Sequence, residues 1–323
     1  MEELKMSEFL TIGEPIALFG SEEVDKSLKD ARHFQKFLAG AEVNVTVGVS
    51  RLGHTTQYIT RLGKDPFGEF IIDQLKENNI GTNYIDETAD YWTAFQLKDR
   101  VSNGDPSIFY FRKGSAAAHF DKKAIDNIDF SEVKFAHLSG IFPAISKEAL
   151  EAFRYLIERL EQKQIRTTFD PNLRPQLWES QEEMVETINE LASHAEILLP
   201  GINEGEILTG SRDPETIADF YLQNGEVTQI VVLKLGEEGA FVKQKDGTSF
   251  TVPGFAVEKV VDTVGAGDGF AAGLISALLE GKPLENAVVR ANAVGAFAVQ
   301  SPGDNDGYPT SEELEKFLKE NEA

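Results

Sequence analysis

No cysteine occurs in the 323 residues. That absence excludes disulfides, thiolate metal sites and a cysteine nucleophile together. Basic residues are scarce: 31 Lys and Arg face 54 Asp and Glu, a formal net charge of −23. A field of that sign repels nucleic acid and anionic membrane, and no local basic patch offsets it. Long apolar runs are missing too. The longest, GFAAGLISALL at Gly269–Leu279, has 11 residues, against the roughly 20 of a membrane span. The opening stretch MEELKMSEFL is acidic and has no apolar core, unlike a secretory leader, so a cytoplasmic location is expected. The 5 histidines are scattered with no HxxxH pair, which argues against zinc; His137, inside an apolar run, is expected to be a satisfied core residue. Neither GxxxxGK[ST] nor GxGxxG occurs, which removes the Walker A loop and the dinucleotide fingerprint.

What is present is alternation. KFAHLSG (134–140), IRTTFD (165–170), Ala195–Leu199 and Ile230–Leu235 read as buried strands. Between them, Lys147–Lys163 carries Ala149, Leu150, Phe153, Leu156, Ile157 and Leu160 at helical spacing. Ser180 with Glu183 predicts a capping box, and Asp213-Pro214 a helix with proline in its first turn. Phe270–Leu279, Pro283–Val299 and the tail from Ser311 predict further helices. Strand–helix alternation implies a mostly parallel sheet with helices on both faces. Ile16–Leu38 and Trp92–Ser115 lack helical spacing and read as a small β-rich lid over one edge of that sheet. No linker divides the chain, so 1–323 is expected to be one α/β domain with its lid drawn from about 16–38 and 92–115.

The most informative segment is Asp262-Thr263-Val264-Gly265-Ala266-Gly267-Asp268-Gly269-Phe270, a glycine turn running into an apolar helix. A helix N-terminus offers unpaired N–H groups and about half a positive charge. Gly265 and Gly267 allow an anion to approach that backbone. Asp268 falls in the first turn, where the dipole is expected to keep it ionised as a base beside the anion's amide donors. A plain helix cap is the other reading of this aspartate.

The segment is similar to the signature of the ribokinase-like (PfkB) carbohydrate kinases. Ala39-Gly40-Ala41-Glu42-Val43-Asn44-Val45 with Arg51-Leu52-Gly53 resembles that family's GGAxxNVA…LxxLG element, Ala39 replacing the first glycine. Arg61-Leu62-Gly63-Lys64-Asp65-Pro66-Phe67-Gly68 resembles its GxDxxG element. IFYFRKGSA (108–116), HLSGI (137–141) and Asp170-Pro171-Asn172-Leu173-Arg174 with Leu177-Trp178 resemble the branch that phosphorylates 2-keto-3-deoxygluconate. Ser301-Pro302-Gly303-Asp304 keeps only the Gly-Asp of that branch's RGD. The resemblance runs in order over about residues 9–320.

It implies a ribokinase-like fold and transfer of the γ-phosphoryl group of ATP to the 6-hydroxyl of the sugar acid. Asp268 would take the hydroxyl proton, with Gly265, Ala266 and Gly267 forming the anion site. Gly40, Asn44, Gln96, Tyr110, Arg112, Arg174 and Asp304 would meet the sugar acid. Arg112 and Arg174 are the candidates for its carboxylate, because a guanidinium binds carboxylates bidentately. Asn172, Arg174, Lys234, Gly236, Gly239, Gly265 and Gly267 would meet the nucleotide. Asn203 and Glu206, resembling the family's NxxE, would hold Mg²⁺ through water. Monovalent-cation dependence stays open. The expected partners are ATP and a small sugar acid, with a homo-oligomer as the assembly and neither nucleic acid nor membrane as a ligand. Fructokinase, ribokinase or 5-keto-2-deoxygluconate kinase activity, and a sugar-binding regulator without catalysis, are the alternatives.

Overall fold

The computed structural model describes residues 7–321 except 103, 105 and 302; Met1–Met6 and Pro302 of the motifs above lie outside the described residues. The first half runs β1 (Phe9–Ile12), β2 (Ile16–Val24), β3 (Phe34–Ala39), α1 (Ala41–Arg51), β4 (Thr56–Gly63), α2 (Pro66–Glu77), β5 (Ile80–Thr88), β6 (Phe95–Arg100), β7 (Ile108–Phe111) and β8 (Phe135–Ser139). Then follow α3 (Lys147–Gln162), β9 (Arg166–Asp170), α4 (Gln181–Ala192), β10 (Ile197–Leu198), α5 (Ile202–Thr209), α6 (Pro214–Asn224) and β11 (Ile230–Lys234). The chain closes with β12 (Ala240–Gln244), β13 (Ser249–Val252), α7 (Ala266–Leu279), α8 (Leu284–Ala298) and α9 (Ser311–Glu320).

Nine strands form one sheet in the order β13-β12-β11-β10-β9-β8-β1-β4-β5. From β11 to β5 every neighbour is parallel, and β12 and β13 continue antiparallel at one edge. Successive side chains point to opposite faces, so each strand serves two layers. Leu10, Ile12, Val231 and Leu233 pack with α3, α4 and α6, while Phe9 and Val232 pack with α1, α7 and α8. Both faces are covered, which is why these strands read as continuous apolar runs.

The helices follow their caps. Ser146 Oγ accepts the Ala149 N–H at 2.9 Å, and Ala149, Ala152, Phe153, Leu156, Ile157 and Leu160 form the buried stripe of α3. Each such Leu, Ile or Phe contributes roughly 1.5–3 kcal/mol. Leu150, expected on that stripe, is half-buried at its margin. Ser180 Oγ caps α4 by accepting the Glu183 N–H, but the Glu183 carboxylate accepts from the Glu179 N–H instead of returning to Ser180. The expected box is therefore half closed. Among the described residues no helix is long and apolar enough to cross a membrane.

The two irregular segments form a separate four-stranded sheet, β3-β2-β6-β7, antiparallel except for the β2–β6 pair. It does not lie along an edge of the large sheet, as expected from the sequence. It stands over the carboxyl ends of the central strands, where Gln96 and Tyr110 share a cavity with Glu14, Asp170 and Lys234 at the ends of β1, β9 and β11. The reason is topological: β2–β3 leave the large sheet where β1 ends, and β6–β7 where β5 ends. Phe19 and Phe95 anchor this lid edge-on and tilted against Phe67 of α2, with ring centroids 5.4 and 5.2 Å away.

Candidate active site

The glycine turn does open a helix. Gly265 is the N-cap of α7 at φ 82°, a left-handed conformation that side chains resist. Space requires glycine there as well, since a Cβ would lie 1.9 Å from the Asp304 carbonyl oxygen. Tyr308 fixes the turn from the other side, donating its hydroxyl to the Gly265 carbonyl at 2.6 Å. The Ala266 N–H makes only a long 3.4 Å bond to the Thr263 carbonyl. The amides of Gly267 and Asp268 fall in the first turn, where a helix supplies no acceptor.

Asp268 is the third residue of α7. Asn44, in the first turn of α1, donates to its Oδ2 at 2.8 Å, and Asn172 approaches Oδ1 at 3.5 Å. The orientation of Asn44 is set in turn by Asn305, which donates to the Asn44 amide oxygen at 2.7 Å. Arg174 does the same for Asn172, donating to Oδ1 at 2.7 Å. The dipole does not prevail as expected. Burial pushes the Asp268 carboxyl up to about 7, with the Asp170 charge adding and Asn44, Arg174 and Lys234 opposing. A carboxyl removed from water favours its neutral form even at a helix N-terminus.

Asp268 floors a polar cavity of about 330 Å³ beneath the lid. Gly40, Asn44, Gln96, Tyr110, Arg112, Arg174 and Asp304, expected to meet the sugar acid, all line it, and so does Asn172, expected at the nucleotide. Gly40 caps α1 at φ 129°, and a Cβ there would approach the Glu14 carbonyl oxygen to 2.9 Å. Arg112 stands over the Tyr110 ring at 5.7 Å. Its fork, however, is occupied. Arg112 Nε and Nη2 contact Oε2 of the buried Glu14 at 2.7 and 2.6 Å, while Ser115 Oγ donates to Oε1. A free bidentate clamp for a carboxylate is therefore corrected to a guanidinium with only Nη1 left over. Sequence reasoning missed Glu14 because its partner lies 98 positions away. It also missed Glu42, a buried carboxyl pushed up to about 7 by desolvation.

A second cavity of about 810 Å³ lies on the other side of Gly267 and Thr263. Lys234, Gly236, Gly239 and Gly267 line it together with apolar Phe255, Val260 and Phe270. Gly265 reaches only the polar cavity, as do Asn172 and Arg174. Lys234 ends β11 and donates to Asp170 Oδ2 at 2.6 Å. Burial works against its charge, but Asp170 and Glu204 outweigh it and raise its pKa.

Asn203 and Glu206 do not join either cavity. Both are exposed and held by one guanidinium, Arg212 contacting Glu206 Oε2 at 2.7 Å and Asn203 Oδ1 at 3.0 Å. The inward face of α5 carries Gly205 and Leu208, so Glu204 is the carboxylate that points to the site. It accepts the N–H groups of Gly201 and Leu173 at 2.7 and 2.9 Å. Burial and then the Asp170 charge raise its pKa, against Lys234. The apolar spacing of Gly205 and Leu208 was the signal for this choice.

An amide-lined helix N-terminus with a polar cavity on one side and an apolar one on the other suits transfer of an anionic group between two ligands. Small-molecule phosphotransferases of α/β type are so built. The chain belongs to the pfkB family of carbohydrate kinases, whose signature matches residues 6–311. It is 42% identical over 96% of its length, and 94% of the other chain, to the 2-dehydro-3-deoxygluconokinase of Bacillus subtilis (strain 168). The crystal structure of a PfkB protein from Polaromonas sp. JS666 superposes with a TM-score of 0.86 at 39% identity, over 96% of this chain and 99% of that one. An uncharacterized sugar kinase from Pyrococcus horikoshii in complex with ATP gives 0.81 at 29% identity, over 95% and 97%.

Proposed function

We propose that the chain transfers the γ-phosphoryl group of ATP to the 6-hydroxyl of 2-keto-3-deoxygluconate (2-dehydro-3-deoxygluconate), giving the 6-phosphate. The observation that carries this reading is the juxtaposition of Asp268 with two open first-turn amides at the junction of the polar and apolar cavities. The likeness to the Bacillus subtilis kinase supports the choice of acceptor.

The sugar acid occupies the polar cavity under the lid. Its carboxylate meets Arg112 Nη1, and Gln96 and Tyr110 meet its hydroxyls. The adenosine takes the apolar cavity beside Phe255 and Phe270, which brings the phosphates to the N-terminus of α7. Asn44 holds one oxygen of Asp268, leaving Oδ1 to accept the proton of the attacking hydroxyl. A base titrating near neutrality balances proton affinity against ionised fraction. The amides of Gly267 and Asp268 stabilise charge on the transferring phosphoryl group as it develops. Arg174 is suited to the same task, since it lies in Coulombic reach of Asp268.

Asp170 and Glu204 form a carboxylate pair, and after burial the Asp170 charge is what opposes ionisation of Glu204. That donor set fits Mg²⁺, which prefers few carboxylates and a shell of water. Asp170 and Glu204 would hold it through that shell, and when bound it supplies neutralisation of phosphate charge.

The test is an ADP-coupled assay on a panel of 2-keto-3-deoxygluconate, 5-keto-2-deoxygluconate, fructose and ribose. The expected result is the highest kcat/KM with 2-keto-3-deoxygluconate. A higher value with a neutral sugar would overturn the acceptor assignment. ATP turnover unstimulated by any sugar would favour a regulator.

A further inference from the structure

Lys98 stands on the lid strand β6, two residues past Gln96 and therefore on the same face of that strand. It is buried to 7% exposure, unusual for a lysine. Its Nζ lies 2.7 Å from Asp262 Oδ2 and 3.5 Å from Asp304 Oδ1. The three charges come from three separate parts of the chain: the lid, the turn into α7, and the loop after α8.

Each carboxylate is built into the site. Asp262 Oδ1 accepts the Val264 N–H at 3.0 Å, which shapes the turn immediately before Gly265. Asp304 presses its backbone carbonyl against Gly265 and turns its side chain into the polar cavity's lining. Asp304 Oδ1 is buried and makes no hydrogen bond among the described residues, so its only compensation is the Lys98 ammonium. Burial raises the Asp304 pKa and Lys98 opposes it. Burial also opposes the Lys98 charge, but the two carboxylates outweigh it.

We propose that Lys98 is a positioning residue for phosphoryl transfer, a pin that locks the lid strand to the turn before α7 and holds the Asp304 side chain in place as an acceptor for a sugar hydroxyl. The second half of this statement rests on the sugar kinase reading above; the pin itself does not. Arg112 cannot substitute for it. Its partner Glu14 follows β1 at the root of the lid, so that pair does not reach the turn before α7.

The test separates the two halves. Lys98→Met keeps the length of the side chain and removes the charge. Amide hydrogen exchange should then quicken in β6 and in residues 262–265 together, with α3 unchanged. Unaltered exchange in either segment overturns the pin, whatever the protein phosphorylates. In steady-state kinetics with the acceptor the panel selects, Lys98→Met should raise KM for the sugar by about 10- to 150-fold, the range of one charge-assisted hydrogen bond. KM for ATP should change less than about threefold. Lys98→Arg should restore most of the loss and also serves if Lys98→Met fails to fold. Asp304→Asn combined with Lys98→Met should be no worse than either alone. Equal rises in both KM values, failure of Lys98→Arg to rescue, or strictly additive effects would each overturn the role assigned to Lys98. A wild-type chain inactive on every sugar would remove the function of Asp304 while leaving the exchange result to decide the pin.

Discussion

Asp268 carries the sharpest prediction because geometry and electrostatics act on it in opposite directions. Its carboxyl is held near 7, above the ordinary 3.8, chiefly by burial. If it takes the proton of the acceptor hydroxyl, kcat/KM follows its ionised fraction. The rate at pH 6 should then be about a tenth of the alkaline plateau and at pH 5 about a hundredth. Asp268→Asn preserves shape and the contact to Asn44 but cannot accept the proton, so kcat should fall by about 10²–10⁴. Stability should move the other way. Because the folded pKa lies above the unfolded one, the native state binds this proton more tightly. That gain is full below about 4 and is lost as pH rises through 7. Above pH 7 the ionised carboxylate costs at most roughly 4 kcal/mol, the equivalent of moving from 3.8 to 7. Asp268→Asn should therefore raise Tm by a few degrees at pH 8 and by less at pH 5. Paired rate profiles and melting curves across pH 5–9 measure both. A kcat within tenfold of wild type would reduce Asp268 to a helix cap. An acidic limb near pH 4 would mean that the α7 dipole outweighs desolvation.

Arg112→Ala should cost about 3–5 kcal/mol of stability, because it strands buried Glu14 beside Ser115 alone; replacing both partners, Glu14→Gln with Arg112→Met, should recover the Tm without recovering KM for the sugar acid. A KM for neutral sugars that rises equally would show that Arg112 shapes the lid and not the carboxylate. Glu204→Gln should raise the Mg²⁺ concentration needed for half-maximal rate, whereas Glu206→Gln, which breaks only an exposed pair with Arg212, should leave the titration unmoved. The reverse pattern would return the metal role to the outer face of α5.

The layered architecture was legible because burial on two faces leaves a local record. Strand runs such as Ile230–Lys234 and stripes such as that of α3 are written within a few residues of each other. Boundaries at α4 and α6 were likewise announced by Ser180 and by Asp213-Pro214. The position of the lid was not, because what places it is the point at which β1 and β5 end, a property of the sheet and not of the lid's own residues. The Asn203 and Glu206 expectation failed for a related reason. Spacing shows that two residues share a helical face but not which face turns inward. Only the apolar partners, here Gly205 and Leu208, decide that.

The electrostatics of the site were the least legible, and the reason bears on how an acidic protein captures an acid. Four cations line the polar cavity, and three of them already face a carboxylate: Lys98 with Asp262, Arg112 with Glu14, Lys234 with Asp170. None of these pairings is local in sequence, so Arg112 read as a free donor and Lys98 drew no notice. Arg174 differs. Its Nη1 donates to oxygens of Asn172 and Leu173, all neutral, at 2.7 to 3.2 Å, and among the described residues no carboxylate lies within ion-pair distance of it. Pre-pairing offsets part of the desolvation penalty of the buried cations and fixes their direction before any ligand arrives. It also means that a sugar acid adds its charge to a cavity whose cations are mostly neutralised. Discrimination then rests on the few donors left pointing inward, Arg112 Nη1 and the Arg174 guanidinium, and on the protonation of Asp268 and Glu42, both held near 7. On that reasoning affinity for an acidic sugar should strengthen as pH falls from 8 to 6 while the rate of transfer weakens. KM and kcat should therefore both decline towards acid pH, and a KM for the acid that instead rises below pH 7 would show that bare cationic charge, not carboxyl protonation, governs its capture.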